Sequence, residues 1–214
     1  MKKEKSKLVQ TIGVNDANYT VTNKVTIGYI NGKQKQKLSW ICPFYSRWKR
    51  MLERCYSSKH HERHPTYIGC TVCEEWLTFS NFKAWMETQD WEGKELDKDI
   101  LVIGNKVYSP ETCAFVTAEI NSFVLESTTS RGKYSLGVHW DIRRNKFVSQ
   151  CRNPFTKKTE FLGYFNTEQE AHKAWLERKL WHAISLSKTI NDPNVAKALV
   201  SRYTYYVENT GGAV

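Results

Sequence analysis

The chain has no apolar run long enough to cross a bilayer, and no apolar core follows its basic start, Met1-Lys2-Lys3-Glu4-Lys5. Both absences lead to the expectation of an intracellular, cytoplasmic protein with no membrane partner. Proline is scarce, at 5 of 214 residues, and with only 11 glycines the chain is not of low complexity. No internal repeat is present. A second Cys-x-x-Cys is missing as well. In a reducing compartment the six cysteines are then buried thiols or metal ligands rather than disulfides. Acid is in short supply: 22 Asp and Glu stand against 32 Lys and Arg, a formal net charge of +10. That imbalance favours a polyanionic partner, with binding that weakens as salt rises.

What is present is enough apolar material for a core, 40% hydrophobic with 13% aromatic, in a length that suits one large domain or two modest ones. The charge is uneven. Residues 131–214 hold 14 Lys/Arg and 7 Asp/Glu, whereas residues 1–130 hold 18 and 15. The C-terminal part is the stronger electrostatic footprint.

Residues 18–30 alternate apolar and polar and read as a short hairpin, with a turn at Asn31-Gly32 and an exposed basic stretch to Lys37. Pro43 opens a helix to about Tyr56, with Phe44, Trp48, Met51, Leu52 and Cys55 on one stripe. A loop rich in Lys, His and Arg covers 57–66, and a second helix covers 74–88. Small polar residues mark a linker at 127–133. Strands follow at 135–140, 146–151 and 159–163, then a helix from Thr167 to about Leu186, where Thr167 and Glu170 spell a capping box. A short helix over 194–203 and a frayed end from Asn209 complete the chain. The fold class expected is α+β, divided as 1–126, linker 127–133, 134–190, and an extension 191–214.

The most chemical stretch is 96–121. Asp97 and Asp99 sit in an apolar strand, a turn leads to Tyr108-Ser109-Pro110, and a second apolar run spans Cys113 to Val116. A short helix then carries Ile120, Asn121 and Phe123 behind the cap Thr117. A hairpin feeding a helix can hold one divalent cation between an acid and a second ligand. This stretch resembles the ββα-metal core of HNH nucleases, and the Tyr-Ser-Pro pattern is similar to that of phage homing endonucleases.

The resemblance implies phosphodiester hydrolysis in DNA with Mg²⁺ or Mn²⁺ held by Asp97 and Asn121. It departs from the family in two places. The general-base position holds Lys98 in place of His, and the middle Asn is Thr112. Lysine is protonated at neutral pH unless desolvated or set beside another cation. Lys98 then becomes a clamp on the scissile phosphate, and the proton acceptor comes from Tyr67, His64 or Tyr108. Asp99 is either a second ligand or a strand-end ion pair.

A second resemblance lies downstream. Gly137-Val138-His139-Trp140, Lys146-Phe147, Leu162-Gly163-Tyr164-Phe165-Asn166-Thr167, Glu170-Ala171 and Ala174 resemble the APETALA2/ethylene-response-factor domain over about 133–187. That family implies a three-stranded antiparallel sheet packed on one helix, with the sheet in the major groove of double-stranded DNA. By position, His139, Trp140, Arg143, Arg144, Lys146, Gln150, Arg152 and Lys157 line the DNA side, with Trp140 as the ring facing DNA. Residues 131–158 carry eight Lys/Arg and one acid, which suits phosphate contact. The family places Arg after Gly-Val, where this chain has His139.

Cys70-Thr-Val-Cys73 has metal-ligand spacing, and Cys55 and Cys113 could complete a structural Zn²⁺ site, with His60, His61 and His64 as alternatives. Buried thiols are the other reading. The layout resembles a free-standing phage homing endonuclease, hence the cytoplasm of an infected bacterium. Such a protein is a monomer that nicks, or a homodimer when both strands are cut. Its rivals are a non-catalytic DNA-binding regulator on a degenerate nuclease scaffold, which Lys98 favours, and a structured-RNA binder.

Overall fold

Asn31 and Gly32, with φ of 49° and 73°, form the tight turn of an antiparallel ribbon, β1 (Thr22–Ile30) and β2 (Lys33–Ile41). Positive φ at both central residues matches the twist of the flanking strands, and Asn-Gly reaches it at little steric cost. The hairpin is therefore centred on 31–32 and not contained in 18–30, and Lys33 to Lys37 are strand residues. A computed structural model describes residues 8–124 and 133–209. The expected linker lies outside them except for Lys133, as does the expected frayed end beyond Asn209.

The described chain is mixed α+β, with helices and small sheets that divide into two units. One comprises Met1–Asp99 and Gly104–Phe115, the other Ile100–Ile103 and Val116–Val214. No described helix is long and apolar enough to cross a membrane.

In the first unit, Pro43 starts α1 (Pro43–Tyr56), whose stripe of Tyr45, Trp48, Met51, Leu52 and Cys55 is buried. Ser57 ends α1, and its hydroxyl accepts the His60 N–H at the start of α2 (Ser58–Arg63). The expected basic loop is thus helical, and a 3-10 turn at Pro65–Tyr67 follows it. The expected helix 74–88 is split into a 3-10 turn, Glu75–Leu77, and α3 (Phe79–Glu87). Trp48, Trp76, Phe79, Phe82 and Met86 form the centre of the core, and the Trp48 indole N–H donates to the Trp76 carbonyl at 2.7 Å. The short strand β3 (Thr71–Val72) runs parallel to β5 (Val107–Tyr108), and β4 (Glu95–Asp97) pairs with β6 (Ala114–Val116).

The second unit contains α4 (Ala118–Val124) and an antiparallel sheet of β7 (Val138–Asp141), β8 (Lys146–Arg152) and β9 (Thr159–Phe165). Its long helix α5 (Glu168–Ser187) begins with the capping box: the Thr167 hydroxyl accepts from Glu170 N, and the Glu170 carboxylate accepts from Thr167 N. The last helix, α6 (Pro193–Asn209), is longer than expected and buries Val195, Leu199 and Tyr203. The Tyr203 hydroxyl donates to the Phe123 carbonyl of α4 at 3.1 Å, and Lys179 of α5 donates to the same oxygen at 2.6 Å. These bonds tie α4 to α5 and α6, with which it groups in the second unit.

Candidate functional site

β4 is held to α1 by two arginines. Arg47 donates to the Lys94 carbonyl at 3.0 Å and Arg54 to the Leu96 carbonyl at 3.5 Å. Along this segment burial alternates: Leu96 and Lys98 are inward, Asp97 and Asp99 half-buried. The Asp97 carboxylate stands at the strand end, where Oδ1 accepts the Asp99 N–H at 2.9 Å. Lys98 is only 8% exposed. Its ammonium donates to Asp99 Oδ2 and to the Asn105 carbonyl, both at 3.0 Å. Asn105 replies by donating to the Lys98 carbonyl. Lys98 thus braces the 98–105 loop, while Asp99 serves as its ion-pair partner.

The groups considered as proton acceptors separate clearly. Tyr108 is 1% exposed and hydrogen-bonds Arg54; burial pushes its hydroxyl pKa up, against the opposing pull of that guanidinium. It is withdrawn from any role as a base. Tyr67 is half-buried with the Arg54 guanidinium 5.5 Å from its ring centre. His64 is exposed, its ring 4.6 Å from that of His60, which in turn meets Tyr67 edge-on at 5.4 Å. Burial first, then the neighbouring His64, lowers the His60 pKa. His61 donates from Nε2 to the Arg54 carbonyl at 2.9 Å. Arg54 therefore connects α2, Tyr67, Tyr108 and β4. Sequence reasoning gave Arg54 no role, and no local pattern marked it.

Asn121 lies in α4, in the second unit, and Asp97 lies in the first. Taken singly, Asp97 offers a carboxylate and Asn121 a carboxamide oxygen, the donor types that hard cations take. A zinc set is a different matter. Among the described residues no three His, Cys, Asp or Glu side chains come together as a metal-ligating group, and Cys55, Cys70, Cys73 and Cys113 are free thiols. Burial pushes Cys55 and Cys113 up to about 12, and raises Cys73 as well.

In the second unit the sheet has two unlike faces. The register puts Trp140, Phe147 and Phe165 side by side, with Ser149, Cys151 and Glu160 on the same side. This face meets α5: Cys151 is buried, and Glu160 accepts from His182 Nε2 at 3.0 Å. Trp140 packs edge-on against Phe147 at 4.7 Å. It belongs to the helix side, and its expected position on the DNA side is corrected: neighbours His139 and Trp140 cannot point to one face of a strand.

The opposite face carries His139, Gln150, Arg152, Phe161 and Tyr164. A one-residue irregularity at Leu162, beside Gly163, lets both Phe161 and Tyr164 share that face, their ring centres 5.0 Å apart. Arg144 lies over the Tyr164 ring at 4.9 Å and donates to Asp141 Oδ2 at 3.1 Å. Asp141 also accepts the Arg143 and Arg144 backbone N–H groups. Slight desolvation pushes the Asp141 carboxyl up, but these donors outweigh it and hold it below its usual range. Lys146 donates to Asn166 Oδ1. Lys157, in the β8–β9 connection, pairs with Glu119 at 2.6 Å. Arg143 and Arg152 have no ion-pair partner among the described residues.

The face therefore combines cations, an amide, an imidazole and two exposed rings. Phe161 and Tyr164 were given no DNA-contacting role in the sequence, where Phe161 read as a strand residue and Tyr164 only as part of the APETALA2-like pattern. No protein-family model matches the chain, and neither a curated protein nor a solved structure matches it.

Proposed function

We propose that this protein is a metal-dependent DNA endonuclease that docks duplex DNA on the exposed face of β7–β9. The observation that carries the docking is that face itself: His139, Gln150 and Arg152 beside Phe161 and Tyr164, with Arg143 and Arg144 at its rim. Guanidinium groups meet phosphates, and Gln150 and Arg152 have the donors that read base edges in a major groove. The resemblance to the APETALA2/ethylene-response-factor domain supports the same orientation, with the helix behind the sheet.

The nuclease half of the proposal is supported by the order strand β4, strand β6, helix α4, and by the oxygen donors Asp97 and Asn121. Those two residues would hold Mg²⁺ or Mn²⁺, which when bound stabilises charge on the phosphate and on the leaving oxygen. Lys98 braces the loop that follows Asp97. His64 and Tyr67 remain the groups with access to accept a proton.

The test is incubation of supercoiled plasmid with the full chain and Mg²⁺ or Mn²⁺. Wild type is expected to nick it, and Asp97→Ala to lower the rate by at least 100-fold with unchanged DNA affinity at fixed salt. Equal rates for the two proteins, or no cleavage by either, contradict the nuclease reading. The second reading, a DNA-binding protein without catalysis, draws its support from Lys98, whose ammonium is committed inside the fold where HNH nucleases use a histidine.

A further inference from the structure

The β1–β2 ribbon is the part of the first unit that neither reading uses. Its root is fixed: Val21 and Cys42 are buried, and the Cys42 N–H donates to the Val21 carbonyl at 2.8 Å. Beyond that root the strands are exposed almost throughout. A two-stranded ribbon left in water is marginal without something to pack on, so a partner surface is the physical expectation.

The composition says what kind of surface. From Ala17 to Leu52 there is no Asp or Glu, while Lys24, Lys33, Lys35, Lys37, Arg47, Lys49 and Arg50 are all basic. On β2, lysine recurs at every second residue, so Lys33, Lys35 and Lys37 share one face. Their partners across the ribbon are Ile30, Gly28 and Val25, none of which carries charge. None of the three lysines has an ion-pair partner among the described residues.

We propose that this lysine face is a second nucleic-acid contact surface, which takes the phosphate backbone of duplex DNA without regard to sequence. Alternate strand residues stand about 6.8 Å apart. That equals about two axial rises of about 3.4 Å per phosphate on one strand of a duplex. The three ammonium groups therefore form a row whose pitch suits a line of phosphates. A two-stranded ribbon also has dimensions that a major groove admits. On this face an anionic bilayer is the poorer partner, because Ile30 and Val25 lie directly across from Lys33 and Lys37 and leave no apolar wedge apart from the charge. The proposal concerns the first unit alone and does not depend on the β7–β9 face.

The test is fluorescence anisotropy of the full chain on a labelled duplex of arbitrary sequence, across a series of salt concentrations. Lys33→Gln/Lys35→Gln/Lys37→Gln is expected to lower the log–log salt slope by about 2 to 3 and to weaken binding at low salt by tenfold or more. Lys33→Arg/Lys35→Arg/Lys37→Arg keeps the wild-type slope. Thermal melting checks that the exposed substitutions leave the fold intact. An unchanged slope in the Gln variant overturns the proposal. So does an unchanged DNA slope accompanied by lost sedimentation with phosphatidylserine vesicles, which assigns the ribbon to a membrane. An Arg143→Gln/Arg152→Gln chain run in parallel reports the C-terminal face separately, so failure of one surface is distinguished from failure of the other.

Discussion

Lys98 and Trp140 each owe their position to a single step of strand alternation. Reading Asp97, Lys98 and Asp99 as one polar cluster hides the fact that the middle residue points the other way. The burial pattern turns Lys98 inward, where its stem is covered and its ammonium bridges Asp99 and Asn105. An ion pair with a partly exposed carboxylate is worth little, whereas a buried ammonium on a backbone carbonyl is worth more. Lys98→Ala is expected to destabilise the chain by about 1–3 kcal/mol in urea unfolding. Wild-type stability in that variant would instead return Lys98 to the role of a phosphate clamp. Trp140 follows the same rule: pairing with Phe147 fixes it opposite His139. The residue types of both candidate centres were legible in the sequence. Their directions were not, because the irregularity at Leu162 and the short length of β4 are set by pairing partners distant in the chain.

At the level of elements, the clearest sequence signals were those with local chemistry. Pro43 and the helix it opens, the capping box at Thr167, and the three strands before it form close to where their residues indicate, though Tyr45 rather than Phe44 joins the buried stripe and β7 starts at Val138 rather than at 135. The hairpin was misplaced because alternation in 18–30 drew the eye before the turn at 31–32 did. The helix α2 was hidden by its charge, although Ser57 in capping position marked it. The tie between β9 and α5 joins the buried His182 to the half-exposed Glu160. Burial lowers the His182 pKa, with Glu160 opposing, while hydrogen bonds from Asn153 and then His182 hold Glu160 below its usual range.

The sign follows from linkage. A histidine with a depressed native pKa binds its proton more readily when unfolded, so stability is complete above about pH 6.5 and falls as pH drops toward the native value. Glu160 adds a loss at lower pH, below about 4.5, in the same direction. Thermal melting between pH 7 and 5 is expected to show a falling midpoint, and His182→Gln to flatten part of that fall. His60, whose pKa is lowered as well, contributes in the same direction. A variant profile parallel to that of wild type contradicts the assignment.

Across the whole molecule, charge is the property that the sequence displayed most openly, and its placement is what the fold adds. His139, Gln150 and Arg152 of the basic stretch come to one exposed sheet face, which Phe161 and Tyr164 complete, while the acid-free stretch 17–52 becomes a ribbon and the start of α1. The grouping of α4 with α5 and α6 could not be read from the sequence, since it rests on Phe123 as the shared acceptor of Lys179 and Tyr203. The claim that matters most is that duplex DNA meets the chain on the β7–β9 face. The salt dependence of duplex binding by Arg143→Gln/Arg152→Gln, compared with wild type, measures it most directly. Loss of two phosphate contacts lowers the log–log slope by about 2; a slope and affinity equal to those of wild type would place the duplex elsewhere.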